Sequence, residues 1–219
     1  LWRKRLETLI AAQSEVAGPI RVRDVKPVAE AAGGSNGTLL FRASYRAEGQ
    51  PVEKAFVLRF LPTNGLFHHY DVKEQFDLQR SLESTSVPVA SQVWLDEKGK
   101  YLERPGYVME RVEGTSSPMA WMTSGIIHDA SPSDRRKMSL AYLSALADIH
   151  AVDWKALGLD WLEERATGTR PIERETNWYW DALVWSENAE NIKIFEPIRS
   201  WLIVNEPDDM EIVLCHGDA

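Results

Sequence analysis

Three groups of residues in this chain could act on a ligand together: a carboxylate set by a glycine turn, a glycine-rich loop between strands, and a cation on the following strand. The carboxylate is Asp218, in the segment Glu211-Ile-Val-Leu-Cys-His-Gly-Asp-Ala219. Its apolar run, Ile212 to Cys215, predicts a strand, and Gly217 lets the backbone turn so that His216 and Asp218 are fixed at a core edge. The loop is Ala-Gly-Gly-Ser-Asn-Gly-Thr at 32–38. Its backbone N–H groups can point at an anion, and its missing side chains allow close approach; a flexible hairpin tip reads the same way. It is not a Walker loop, because no Gly-Lys-Ser/Thr follows and no helix opens there. The cation is Arg59. On a strand Val57 and Arg59 share one face, while Phe56, Leu58 and Phe60 take the other.

These residues need a scaffold, and the order of elements predicts one. Residues 1–17 read as a leading helix ended by Pro19, followed by a strand over Ile20 to Ala29. After the glycine loop come a strand over Thr38 to Ala47, a turn at Glu48-Gly-Gln-Pro51 and a third strand over Ala55 to Leu61. Residues 70–83 form an amphipathic helix with Val72, Phe76, Leu78 and Leu82 inward. Gln92 to Leu95 and Tyr101-Leu102 read as a hairpin around Asp96-Glu-Lys-Gly-Lys, and Gly106 to Gly114 as a strand leaving this first part. Ser131-Pro132-Ser133-Asp134 is a helix start, with Ser as cap and Pro at the first position. That helix runs to about His150, with Met138, Ala141, Tyr142, Ala145, Leu146 and Ile149 on one side.

Taken in order, these segments resemble the aminoglycoside phosphotransferase family of small-molecule kinases. The carriers are Gly-Gly-Ser-Asn-x-Thr, Val-x-Arg at 57–59, the acidic helix, Met-Glu-Arg-Val at 109–112, Leu-Ala-Asp-Ile-His-Ala-Val-Asp at 146–153 and His-Gly-Asp. The resemblance implies an α+β, protein-kinase-like two-lobed fold: an N-lobe at 1–112 with an antiparallel sheet and one main helix, and a mostly helical, partial C-lobe at 113–219. It implies transfer of the γ-phosphoryl group of ATP to a hydroxyl of a small-molecule acceptor, with Asp218 accepting the proton and His216 fixing the loop. Gly33, Gly34, Ser35, Asn36, Gly37 and Thr38 would cover the phosphates. Val57 would touch adenine, Arg59 would hold phosphate, and Glu74 would tie Arg59 in place. Asp71 and Asp77 lie one turn either side of Glu74 and offer alternative registers. Met109 would guard the back of the base pocket, with backbone groups of Glu110 and Val112 pairing with the base. His150 reads either as a base or as a structural residue at a helix end. The pattern further expects an Asn five residues past Asp218 and then an Asp for Mg²⁺, so the metal ligands are expected beyond Ala219, in a longer chain.

Composition narrows the classes. At 44% apolar and 26% charged the chain is ordinary globular material, and no apolar run is long enough to span a bilayer. A net charge of −8 argues against nucleic acid as a partner, because phosphate binding needs a basic face. The start, Leu-Trp-Arg-Lys-Arg-Leu-Glu, lacks a secretory signal, and Cys215 is the only cysteine; a reducing, cytoplasmic setting is expected. Six of the nine tryptophans lie within 154–205, and residues 155–211 hold 13 Asp and Glu against 6 Lys and Arg. Two or three packed helices account for the aromatics; an acidic aromatic cleft that attracts a cationic acceptor accounts for both, as does a solvated acidic surface. A binding module of pseudokinase type and a structural α+β domain are the other classes compatible with this sequence.

Overall fold

In the computed structural model, residues 1–28, 36–63, 68–115, 121–187 and 189–217 are described. Gly33, Gly34, Ser35 and Asp218, all named above as site residues, lie outside them. The chain forms two compact units, Leu1–Leu66 with Asp71–Ala145, and Phe67–Tyr70 with Leu146–Ala219.

The first unit is built on an antiparallel sheet of β1 (Val16–Pro27), β2 (Gly37–Ala47), β3 (Gln50–Phe60), β4 (Gln92–Asp96) and β5 (Gly106–Glu110), in the order β1-β2-β3-β5-β4. β2 and β3 pair without interruption from Ala47↔Gln50 to Gly37↔Phe60. A two-residue turn joins them, with Glu48 at φ 49 and Gly49 at φ 77. Positive φ at both turn residues matches the twist of a tight hairpin. The third strand therefore begins at Gln50, earlier than the sequence predicts.

Helix α1 (Trp2–Ala11) lies on one face of this sheet, with Leu6, Leu9 and Ile10 fully buried against Val22, Leu39, Phe41, Ala43, Phe56, Leu58, Trp94, Leu102 and Val108. Helix α2 (Val72–Leu82) lies on the other, packing Val72 and Phe76 on Tyr107, Leu95 and Met109. Period-two alternation thus divides β2, β3 and β5 between a continuous apolar core and a smaller, more polar face.

The regular elements in the rest of the described chain are helical: α3 (Gly125–Asp129), α4 (Pro132–His150), a 3₁₀ turn at Asp160–Glu164, α5 (Pro171–Trp185) and α6 (Ala189–Val204). α4 starts as its sequence predicts. The Ser131 hydroxyl accepts from the Asp134 N–H at 3.2 Å and donates to the Asp134 carboxylate at 2.7 Å. Together with Lys137, the hydroxyl holds the Asp134 carboxyl below its ordinary range.

Four expectations need correction. Pro19 does not end the leading helix; α1 stops at Ala11 and Pro19 lies within β1. Tyr101-Leu102 is not a strand, because Asp96 accepts the backbone N–H groups of Lys100, Tyr101 and Leu102, each at 2.8 Å, and holds them in a turn; β4 pairs with β5 instead. The predicted inner side of α4 carries no buried residue, and Tyr142 is 54% exposed. Residues 212–215 pair with no strand among the described residues; the Ile212 carbonyl accepts the Trp154 indole N–H at 3.2 Å. No helix of the described residues is long and apolar enough to cross a membrane.

Candidate active site

The polar face of the first unit's sheet collects several of the residues singled out from the sequence. Register places Thr38 opposite Arg59 and Arg59 opposite Tyr107, forming one cross-strand row. The adjacent row runs Leu40, Val57, Met109 and Gln92. Cross-strand neighbours on one face lie about 5 Å apart, so a cationic row sits beside an apolar one. The backbone that leads into the glycine loop continues the β1–β2 pairing to the end of this row, where the Val28 N–H donates to the Thr38 carbonyl at 3.0 Å.

Arg59 is partly buried, and its Nε is buried with no hydrogen-bond partner among the described residues. A buried guanidinium N–H without an acceptor is costly, and the Nε atoms of Arg5, Arg104 and Arg199 share that state. Tyr107, its row neighbour, is fully buried. Burial pushes the Tyr107 hydroxyl up, with smaller opposing effects from the Arg59 charge and a hydrogen bond from Gln79, so at neutral pH it is a neutral donor.

Three carboxylates named from the sequence lie at or in helix α2. Asp71 is its N-cap, accepting from the Lys73 and Glu74 N–H groups at 2.7 and 3.2 Å, and Asp77 pairs with Lys73 one turn along. Both alternative registers are thus occupied by local roles. Glu74 is partly buried in the first turn of the same helix.

A chain of side-chain amides crosses the same face. Gln92 donates to Gln79 at 3.3 Å, Gln79 to the Tyr107 hydroxyl at 3.3 Å, and that hydroxyl to Gln75 Oε1 at 3.5 Å. Asn36, at the loop exit, donates to the same Gln75 oxygen at 2.8 Å, and Gln92 Nε2 lies 3.9 Å from Met109 Sδ. Sequence reasoning missed Tyr107, Gln75, Gln79 and Gln92. The alternation that pairs Val57 with Arg59 also pairs Met109 with Tyr107, and Gln75 with Gln79 is an i,i+4 step, so both signals were present.

The remaining first-unit residues fall as follows. Glu110 ends β5; its N–H donates to the Ser91 carbonyl at 2.8 Å, so any pairing it makes with a ligand is through its carbonyl. Its side chain pairs with Lys54. Val112 lies two residues beyond β5 and is 71% exposed. Gly37 has a packing reason of its own. A Cβ there would come within 2.3 Å of two ring carbons of Phe60, its cross-strand partner. Leu39, Phe41 and Phe60 belong to the α1 side, so that missing side chain would point away from the Arg59 face.

In the second unit, Gly217 adopts a left-handed φ of 82 where the sequence reading expects a turn, and His216 is exposed. Trp154 is buried and anchors the 212 backbone. Buried Glu206 accepts the Ile172 N–H at 3.1 Å at the start of α5 and lies 3.7 Å from Arg170 Nε. Three tryptophan rings are faced by the chain's own cations: Lys155 over Trp154, Arg165 over Trp178 and Arg199 over Trp180, at 4.9 to 5.2 Å. Those faces are occupied from within, which weakens a cation–π role for them toward a cationic ligand.

A model of the Phosphotransferase enzyme family matches residues 36–219. Acyl-CoA dehydrogenase family member 11 of Rattus norvegicus is 28% identical over 171 residues, 77% of this chain and 21% of that protein. The Homo sapiens protein of that name is 25% identical over 189 residues, 85% of this chain and 22% of its own length. The crystal structure of a Ralstonia eutropha JMP134 protein, provisionally named an aminoglycoside phosphotransferase, superimposes with a TM-score of 0.59 at 22% identity, over 94% of this chain and 54% of that one. The chain therefore spans about a fifth of these curated relatives and about half of the solved protein. At that identity the structural likeness establishes the fold.

Proposed function

The chain belongs to the phosphotransferase enzyme family, and on that premise we propose that it moves the γ-phosphoryl group of ATP to a hydroxyl of a small-molecule acceptor. The observation that carries this reading is the pair of rows on the sheet. Leu40, Val57 and Met109 offer an apolar surface for a purine, and the adjacent Arg59 offers a cation with an unpartnered buried Nε for phosphate.

In this reading Arg59 binds phosphate oxygens and Glu74 steadies the guanidinium. Thr38 and Asn36 hold the exit of the loop, and Gly33, Gly34 and Ser35 cover the phosphates with backbone N–H groups. The carbonyl of Glu110 and the backbone of Val112 pair with the base, behind which Met109 stands. Asp218 accepts the acceptor's proton, and His216, set by the Gly217 turn, keeps the loop in place. The protein's contribution is positioning and charge neutralisation rather than covalent chemistry. ATP would bind as its Mg²⁺ complex, in which the metal neutralises charge developing on the phosphates. Among the described residues no group of three or more His, Cys, Asp or Glu side chains converges to hold a metal ion, so no step is assigned to the metal. The acceptor class stays broad: the mammalian relatives' names mention acyl-CoA and the solved protein's an aminoglycoside, so hydroxyl-bearing compounds of both kinds are to be tested.

The test is calorimetric titration with Mg-ATP, followed by ADP release with each acceptor. Wild-type protein should bind, and Arg59→Met should weaken binding by roughly tenfold or more, the scale of one charge-assisted hydrogen bond. Asp218→Asn should bind ATP normally and transfer nothing. Absence of binding at millimolar Mg-ATP would overturn the reading; binding without transfer to any acceptor would leave a nucleotide-binding module.

A further inference from the structure

The amide chain across the sheet face is directional, and its direction gives it a use. Gln92, Gln79 and Tyr107 each donate to the next member, and the sequence ends on one oxygen, Gln75 Oε1. That oxygen also receives the Asn36 amide at 2.8 Å, the shortest link of the set. Asn36 Oδ1 is buried without a partner among the described residues, so Gln75 supplies the hydrogen bond that fixes this side chain. Gln75 follows Glu74 in α2, and the far end of the chain touches Met109. One oxygen therefore links the loop exit, the acidic helix, the strand that carries Tyr107 and the residue behind the apolar row.

We infer that Gln75 is a positioning residue that holds the Asn36 end of the glycine-rich loop in register with α2 and with the Tyr107–Met109 side of the sheet. This inference rests on the nucleotide reading above for its catalytic consequence, although not for the linkage itself. Tyr107 can serve the linkage because its hydroxyl is neutral and can donate to Gln75 while accepting from Gln79. Without Gln75 the loop exit keeps its pairing to β3 through the backbone but loses the side-chain tie to the helix. Binding at the phosphate end should then suffer more than turnover, because the catalytic residues are untouched.

The experiment compares wild type with Gln75→Leu, which keeps the bulk but removes the acceptor, and with Gln75→Glu, which keeps an acceptor oxygen. The first readout is hydrogen exchange of the 36–40 amides without nucleotide. The second is the KM for ATP against kcat. Gln75→Leu should exchange about fivefold faster there and raise KM by about fivefold with a smaller change in kcat, the scale of one neutral hydrogen bond. Gln75→Glu should restore both. If Gln75→Leu folds poorly, Asn36→Ala breaks the same bond from the other side and should give the same exchange change; on the Gln75→Glu background, which keeps the acceptor, it should show that change in full. Unchanged exchange in folded Gln75→Leu or Asn36→Ala, or a Glu variant as impaired as Leu, overturns the inference. If wild type binds no ATP while exchange still responds to Gln75, the linkage stands and only the proposed function falls.

Discussion

Replacing Gly37 by Ala separates two reasons for a glycine at the foot of the loop. A Cβ at this position would lie 2.3 Å from two Phe60 ring carbons and 2.9 Å from a third, distances no real Cβ tolerates. The ring cannot swing aside without loss, because Trp2 packs on it in a tilted pair with centroids 4.6 Å apart and Arg104 covers it at 5.4 Å. Overpacking of this kind costs about 1–3 kcal/mol, while Ala in a strand regains about 0.5–1 kcal/mol relative to Gly. Gly37→Ala should therefore destabilise the first unit by roughly 1–2 kcal/mol. Trimming the ring removes the clash, so in a double-mutant cycle Gly37→Ala and Phe60→Ala should couple by about 1–2 kcal/mol, the double variant being more stable than the sum of the singles. Urea denaturation of the four proteins measures this. Mg-ATP titration of the same set supplies the second half: the Gly37→Ala/Phe60→Ala protein should bind nucleotide as Phe60→Ala does, since the added methyl points away from Arg59. A coupling indistinguishable from zero would refute the packing account. A double variant that binds ATP much more weakly than Phe60→Ala would show that the phosphates need the bare glycine.

Two further perturbations follow from the buried polar groups. Tyr107→Phe removes the hydroxyl between Gln79 and Gln75 and should cost about 1 kcal/mol at neutral pH. Because burial raises the Tyr107 value in the folded state, its share of stability is complete below the unfolded value of about 10 and is lost as pH rises through the folded one; wild type should weaken more steeply than Tyr107→Phe between pH 9 and about 11, and parallel curves would contradict this. In the second unit, Glu206→Ala strands the Ile172 N–H, while Arg170 keeps the Glu206 and Pro207 carbonyls and Asp208, and should cost about 1–2 kcal/mol by tryptophan-monitored urea denaturation, with Glu206→Gln costing less. A loss under about 0.5 kcal/mol in Glu206→Ala would show that water replaces the carboxylate there.

What could be read from the sequence is what neighbouring residues decide. The cap at Ser131 and Asp134, helix α2 and the alternation of Val57 with Arg59 depend on residues within a turn or a strand of one another. The end of α1, the turn at Tyr101-Leu102 and the unpaired 212–215 segment were misread because distant or less obvious partners settle them. Asp96 takes three amides that a hairpin would have used, and Trp154 reaches the Ile212 carbonyl across 58 residues. The glycine motif was legible as a motif, but not the Phe60 ring that explains one of its members. The Gln75 junction was legible only as an i,i+4 step to Gln79; its bonds to Asn36 and Tyr107 were not, since an exposed and a bonded glutamine look identical in a helix.

The strand order has a consequence for how this protein comes into being. β1, β2 and β3 can zip together as soon as they are made, each beside its predecessor in the chain. β4 is synthesised next but has no place in the sheet until β5 arrives to lie between it and β3. Both cross-strand rows of the candidate site are completed by that last strand, through Tyr107 and Met109. Pairings so separated in sequence form late and slowly. On a ribosome the polar face would thus stay unfinished until the residues beyond Glu110 have emerged, which makes β4 and the open edge of β3 the segments a chaperone has most reason to shield.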